Sequence, residues 1–255
     1  MNRTLLKRIL LISAIAVLGV STSFAALVMD RDEGLDTAPN VGMYRFQVPA
    51  ELQGAYNSTG VANLTASMEK EPNTLSMNVA HVKGNPSESY VVEIYKDLAA
   101  IETHRKSDQY QAFVNEVGSK LTNRKMYDVQ SVLLFEKKDA LSIVNDGKAV
   151  VTLTEFNVDS NDIDTVQRQY QLDIERAVRD DAGYKAGYVL RDRNAKNHWY
   201  VIQIYSDQEA LTKHLNSPGY RFMMSQIQGS LQNVTTKVLD GDIFVNHGGQ
   251  AFVRP

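Results

Sequence analysis

Residues 150–158 (Val150-Val151-Thr152-Leu153-Thr154-Glu155-Phe156-Asn157-Val158) are β-branched and alternate apolar with polar side chains, the period-two pattern of a strand. Behind Asp162 and Asp164, either of which can cap a helix, Val166, Tyr170, Ile174, Ala177 and Val178 recur at helical spacing. Gly183 stops that helix. Residues 184–190 and 199–205 read as two further strands around the polar turn 191–197. Asp207 caps a short helix over 208–215, which Asn216-Ser217-Pro218-Gly219 breaks. Ser217 caps the next helix with Pro218 in its first turn, where a missing N–H costs nothing. Tyr220, Met223, Met224, Ile227 and Leu231 form the apolar stripe of that helix, and 234–245 supply a last strand. The order strand, helix, strand, strand, helix, strand is the ferredoxin-like unit.

The same pattern occurs earlier in the chain. Tyr90-Val91-Val92-Glu93-Ile94-Tyr95-Lys96-Asp97 returns 110 residues later as Tyr200-Val201-Ile202-Gln203-Ile204-Tyr205-Ser206-Asp207. Continued without a gap to Leu121 and Leu231, ten of the 32 positions are identical, including His104/His214, Ser107/Ser217 and Tyr110/Tyr220. A register that survives a strand, a turn and a helix means two copies of one unit, far above the period of about 20–50 residues of a solenoid. The first unit spans 41–137, with strands expected near 41–48, 74–82, 90–95 and 128–135. Its first helix, over 51–69, is the weak element, because Asn57-Ser58-Thr59-Gly60 interrupts it and Gly costs about 1 kcal/mol relative to Ala. Residues 138–148 are a linker, 149–246 the second unit and 247–255 a tail. A four-stranded antiparallel sheet with both helices on one face leaves its other face needing cover. Two such sheets in one chain cover each other, so the fold class is α+β: an intramolecular pseudo-dimer packed sheet to sheet around a barrel-like core.

The N-terminus changes this picture only at its edge. Arg3, Lys7 and Arg8 precede an uncharged apolar run over 9–20, and small residues lead to a cut expected after Ala25. The run is short of the roughly 20 residues that span a bilayer, so residues 1–25 read as a signal peptide, with an uncleaved anchor as the alternative, and 26–40 as a tether. The expected location is periplasmic or secreted, with no membrane span after cleavage. Losing three basic and no acidic residues moves the net charge from −3 to −6. With no Lys/Arg stripe, nucleic acid is not an expected partner. The absence of cysteine excludes disulfides, thiolate catalysis and thiolate-bound metal.

Residues 181–192 (DAGYKAGYVLRD), 199–205, Ser206-Asp207-Gln208-Glu209-Ala210-Leu211, His214 and Asn216-Ser217-Pro218-Gly219-Tyr220 resemble the antibiotic biosynthesis monooxygenase domain. Its pattern is a glycine-containing second strand, an aromatic-acidic strand end, and a helix reading A-L-x-x-H followed by S-P. The first unit keeps Tyr95, Asp97, Ala100, His104, Ser107 and Tyr110, but has Asn73 and Met77 where the second has Gly183 and Gly187. The resemblance implies a dimeric α+β barrel with a small apolar cavity between each sheet and its helices. It also implies a function among cofactor-independent monooxygenases of quinols and aromatic polyketides, or in a haem-degrading branch. That branch fits poorly: its axial histidine falls at Val114 and Met224 here, and its tryptophan at His104 and His214.

His214 and His104 are the candidate catalytic residues. Oxidising a phenol or hydroquinone without flavin or metal begins with loss of its proton, and imidazole suits that base role. Each histidine can equally cap or pack its helix end. Tyr205, Tyr220, Tyr95 and Tyr110 are candidate substrate contacts, each a flat apolar face with one donor, or else core rings. Trp199, with Ser89 opposite it in the repeat, is a further candidate contact or half-buried surface, and Asn157 is a polar candidate at a strand end. His81 reads as a satisfied strand histidine. No metal site is expected, because no two histidines lie at i+3 or i+4, and no cofactor is required. The partner is a small aromatic or quinol ligand, and further self-association stays open. Two readings compete: an exported cofactor-independent monooxygenase with a His base, and a non-catalytic α+β barrel that binds an apolar ligand or a partner protein.

Overall fold

The computed structural model describes residues 38–255; the expected signal segment and most of the expected tether lie outside the described residues. The first unit comprises β1 (Asn40–Gln47), α1 (Gln53–Lys70), β2 (Thr74–Val82), β3 (Asn85–Tyr95), α2 (Leu98–Lys106), α3 (Asp108–Glu116), β4 (Thr122–Tyr127) and β5 (Val129–Glu136). A short strand, β6 (Leu141–Val144), lies in the expected linker. The second unit comprises β7 (Val150–Val158), α4 (Ile163–Asp180), β8 (Tyr184–Asp192), β9 (His198–Tyr205), α5 (Gln208–Asn216), α6 (Pro218–Ile227) and β10 (Leu231–Asn246). The expected tail adds β11 (Ala251–Val253), which pairs with β5. Among the described residues no helix is long and apolar enough to cross a membrane.

All strands join one antiparallel sheet in the order β11-β5-β8-β9-β7-β10-β2-β3-β1-β4, with β6 on β10. Only Asp128 separates β4 from β5, so chain continuity closes the sheet into a barrel. The inner face carries Met43, Tyr90, Val92, Tyr188, Ile202 and Phe244 in one buried cluster. Separate clusters lie between each half-sheet and its helices.

The fourth strand of each unit departs from expectation. Residues 128–135 were expected to complete the first unit's own sheet, but β4 pairs with β1 while β5 crosses to β8, with Leu134 opposite Tyr188. Likewise β10 runs first along β7 and then along β2, with Phe244 opposite Asn78. The reason is length: β4 and β5 together outrun the eight residues of β1. Each overhang covers an edge of the other unit that would otherwise expose unpaired backbone groups.

Helix α1 is also unbroken, against the expected interruption at Gly60. Gly60, Asn63, Leu64 and Ser67 are buried against the sheet, and that packing outweighs the local glycine penalty.

Polar contacts fasten the seams between the units. His81 on β2 hydrogen-bonds Asp242 on β10 through Nδ1 at 2.9 Å, which raises its pKa, and so it is satisfied as expected. Ser76 on β2 meets the Tyr188 hydroxyl at 3.1 Å, and that hydroxyl donates to Glu136 Oε1 at 2.7 Å. Burial pushes the Glu136 carboxyl up to about 7 against the opposing effect of these hydrogen bonds. Between the sheets a cavity of about 20 Å³, lined by Met43, Asn78, Tyr90, Val151, Ile202 and Phe244 among others, has room for about one water.

Candidate functional site

Capping places the repeated histidines. Asp97 and Asp207 each accept a hydrogen bond from the backbone N–H three residues on, at 2.8 Å, and so start α2 and α5. Ser107 and Ser217 then end those helices and cap α3 and α6 by accepting from the N–H groups of Tyr110 and Tyr220. The histidine three residues before each serine is thereby turned inward, and both are 1% exposed.

Each histidine is held among tyrosine rings. The His104 ring lies 5.7 Å from Tyr95 and 4.9 Å, edge to face, from Tyr110. The His214 ring lies 5.7 Å from Tyr205, 5.1 Å from Tyr220 and 5.0 Å from Tyr184. The structure thus brings together six of the eight candidate residues, in two equivalent groups of three. Burial pushes the hydroxyls of Tyr95 and Tyr205 well above the ordinary phenol range, so both stay protonated. Tyr95 donates to Glu93 Oε2 at 3.0 Å, whereas the Tyr205 hydroxyl is buried with no hydrogen-bond partner.

The polar surroundings differ. His104 Nδ1 lies 3.1 Å from Glu71 Oε2 and 3.3 Å from Ser67 Oγ. Glu71, at the C-cap of α1, also accepts from Thr74 at 2.7 Å and from Gln109 at 2.6 Å. Its carboxylate can only accept, so Nδ1 carries the donated proton; Nε2 is left buried without a partner. Glu93 stands near, its carboxyl pushed up by burial although the hydrogen bond from Tyr95 opposes the shift. In the second unit it is Nε2 of His214 that is engaged. It lies 3.3 Å from Asp173 Oδ2, without hydrogen-bond alignment, and 3.4 Å from the Gln203 amide nitrogen. Asp173 is itself paired with Arg176.

The sequence profile described as "Antibiotic biosynthesis monooxygenase" (ABM) matches residues 41–116 and again 149–225, more than half the chain. The chain belongs to the ABM family. It carries two ABM domains, and their folds match solved structures of similar length. One is an inferred monooxygenase of Lactobacillus acidophilus NCFM, with 18% identity, TM-score 0.77, 84% of this chain and 99% of that one covered. Another, of Fusobacterium nucleatum, has 19% identity, TM-score 0.75, and coverage of 87% and 100%. An anthrone oxidase-like protein matches with 11% identity, TM-score 0.51, and coverage of 86% and 97%. No curated protein matches the ABM chain by sequence. At these identities the structural likeness speaks for the fold alone.

Two candidate residues lie away from both ABM histidines. Trp199 is not half-buried surface: it is fully buried, stacked on Phe156 at 6.5 Å, with its indole N–H donating to the Lys196 carbonyl. Asn157 stands opposite His198 at the far end of β7 from Tyr205, with its amide 3.4 Å from His198 Nδ1. The glycines of the second strand do not open space either. A Cβ on Gly183 would meet that of Ala210, and one on Gly187 would overlap the Tyr184 hydroxyl.

The residues that sequence reasoning missed are Glu71, Ser67 and Gln109 in the first ABM domain, and Asp173, Gln203 and Tyr184 in the second. One available signal is helical: Asn63, Ser67 and Glu71 recur every four residues, a polar stripe along the buried face of α1.

Proposed function

We propose that the chain is a cofactor-independent monooxygenase acting on a small aromatic or quinol substrate, with a histidine of the tyrosine–histidine clusters as base. The observation that carries this reading is a buried imidazole, set among tyrosine rings and against a carboxylate, at the same place in both units. Rings and buried imidazole together favour a flat apolar substrate with an acidic proton. The base removes that proton, and the carbanion or phenolate passes an electron to O₂. Recombination of the radical pair then places oxygen on the ring. For a ring methylene, one oxygen atom becomes the carbonyl and the other leaves as water with the two hydrogens, so the electrons balance without a cofactor.

Export to the periplasm or medium belongs to the same proposal, supported by the basic and apolar pattern of residues 1–25. One observation favours the competing reading, a ligand-binding or partner-binding barrel without turnover: the second unit packs Trp199, Phe156, Tyr184 and Tyr205 at 0% exposure. The test is oxygen uptake by the purified protein with a panel of hydroquinones and polycyclic phenols, autoxidation subtracted, beside the His104→Ala/His214→Ala double variant. Uptake above the blank that disappears in the folded variant is expected. Equal uptake by both proteins would remove the histidines from the chemistry.

A further inference from the structure

We infer that the first unit holds the working base, His104, that Glu71 is its positioning residue, and that the second unit's cluster is structural. This rests on the monooxygenase reading for its chemistry and on geometry for the choice between units.

The first argument is the ring nitrogen. A base needs an unshared pair directed at the substrate, and of the two cluster histidines it is His104 that has a buried ring nitrogen, Nε2, without a partner. Glu71 fixes that state by taking the Nδ1 proton, and it is fixed in turn by Thr74 and Gln109. In His214 the corresponding Nε2 faces Asp173 and the Gln203 amide.

The second argument is charge. A base that takes a proton becomes a cation, and in a dry site a facing carboxylate stabilises it. Thr74 and Gln109 are neutral, so the Glu71 charge is not taken up by either of them. Asp173 already faces the Arg176 guanidinium, which lies across the backbone of Gly219 where a Cβ would collide with it.

The third argument is room. Where the second unit buries the rings of Tyr170, Tyr184 and Trp199, the first has Gly60, Thr74 and Ser89 at the equivalent positions. The first unit's apolar cluster is closed by partly buried Tyr44, Phe46, Tyr56 and Met68. A flat substrate has only to move side chains that already reach solvent. The second unit's cluster also has a partly buried rim, with Tyr220 and Met224 in it, but behind that rim a substrate would have to displace the rings of Tyr170, Tyr184 and Trp199.

Nitrogen NMR of the histidine rings in wild-type protein, read together with the kinetics of Glu71→Gln and Asp173→Asn, tests the inference. The expected spectrum shows His104 protonated at Nδ1 and bare at Nε2. Glu71→Gln is expected to lower kcat at least about tenfold, with a smaller change in KM, as the loss of a charge that orients and stabilises a base does. Asp173→Asn is expected to stay within about twofold of wild type. A proton on Nε2 of His104, wild-type turnover by Glu71→Gln, or an equal loss in Asp173→Asn would overturn the inference. The spectrum needs no turnover, so the two proposals fail separately. Nδ1 protonation without oxygen uptake would sink the monooxygenase and leave the hold of Glu71 on His104 standing.

Discussion

The two histidines occupy the same helix position, among equivalent tyrosines, yet they are held by opposite ring nitrogens. His104 is held through Nδ1 by Glu71, and His214 is approached at Nε2 by Asp173 and Gln203. Two equivalent positions exchange acid for amide, Asn63/Asp173 and Glu93/Gln203, and Glu71 has as its equivalent Asp181, which faces Lys213 and not the histidine. Duplication preserved the apolar enclosure, which any folded copy needs. The hydrogen-bond partners, which choose the unpartnered nitrogen, are free to differ between copies.

The stability side of this contrast can be broken most strongly at Trp199 and Ser89, which are equivalent positions. Trp199→Ala is expected to cost about 3–5 kcal/mol in urea unfolding, because it empties a sealed core. Ser89→Ala, which loses hydrogen bonds to Tyr56 and the Ala80 carbonyl, should cost about 1 kcal/mol. Similar losses at both sites would contradict the picture of one packed and one loose unit.

Glu136 comes next. Its pKa is raised in the folded state from the ordinary 4.5 to about 7, so the unfolded chain releases the proton first as pH rises. Folding stability therefore falls between about pH 4.5 and 7 and levels off above that, by about 3 kcal/mol in all. Glu136→Gln lacks this loss, so its stability relative to wild type should rise by about that amount from pH 4 to pH 8. A pH-independent difference would place Glu136 in a solvated setting.

Glycine positions sharpen the contrast at lower amplitude. Gly187 lies under wholly buried Tyr184 and 2.7 Å from the side chain of Ile174 once a Cβ is added, and Gly42 under the hydroxyl of half-buried Tyr44. Gly187→Ala should cost about 1–3 kcal/mol, and Gly42→Ala less than about 1 kcal/mol, because Tyr44 can swing outward. Thermal unfolding of the pair reads the difference.

The smallest effect belongs to His81. Its raised pKa means that its pairing with Asp242 stabilises fully below about pH 6.5 and fades as pH rises through the folded-state value. His81→Gln should lose less than about 1 kcal/mol at pH 5 and close to nothing at pH 9.

Most of the architecture was legible in the sequence because alternation, helical spacing and caps are local. The repeat then turned one unit's elements into two. Exchange of the fourth strands was not legible, because the partner of a strand edge is set by lengths in another unit. The intact α1 was missed for a related reason: Gly60 is a penalty in the sequence and a close contact with the sheet in the fold. At the site, His104, His214 and their tyrosines stood out because they are identical in both copies. Glu71 and Asp173 did not, since identity between copies was the signal and their equivalents are Asp181 and Asn63.

The central claim is that the chain oxidises an aromatic substrate with His104 as base. Oxygen uptake by His104→Ala, run against wild type on any substrate that wild type consumes, tests it most directly. A loss of about 10²–10⁴-fold in a folded variant is predicted. Undiminished uptake by His104→Ala would contradict it.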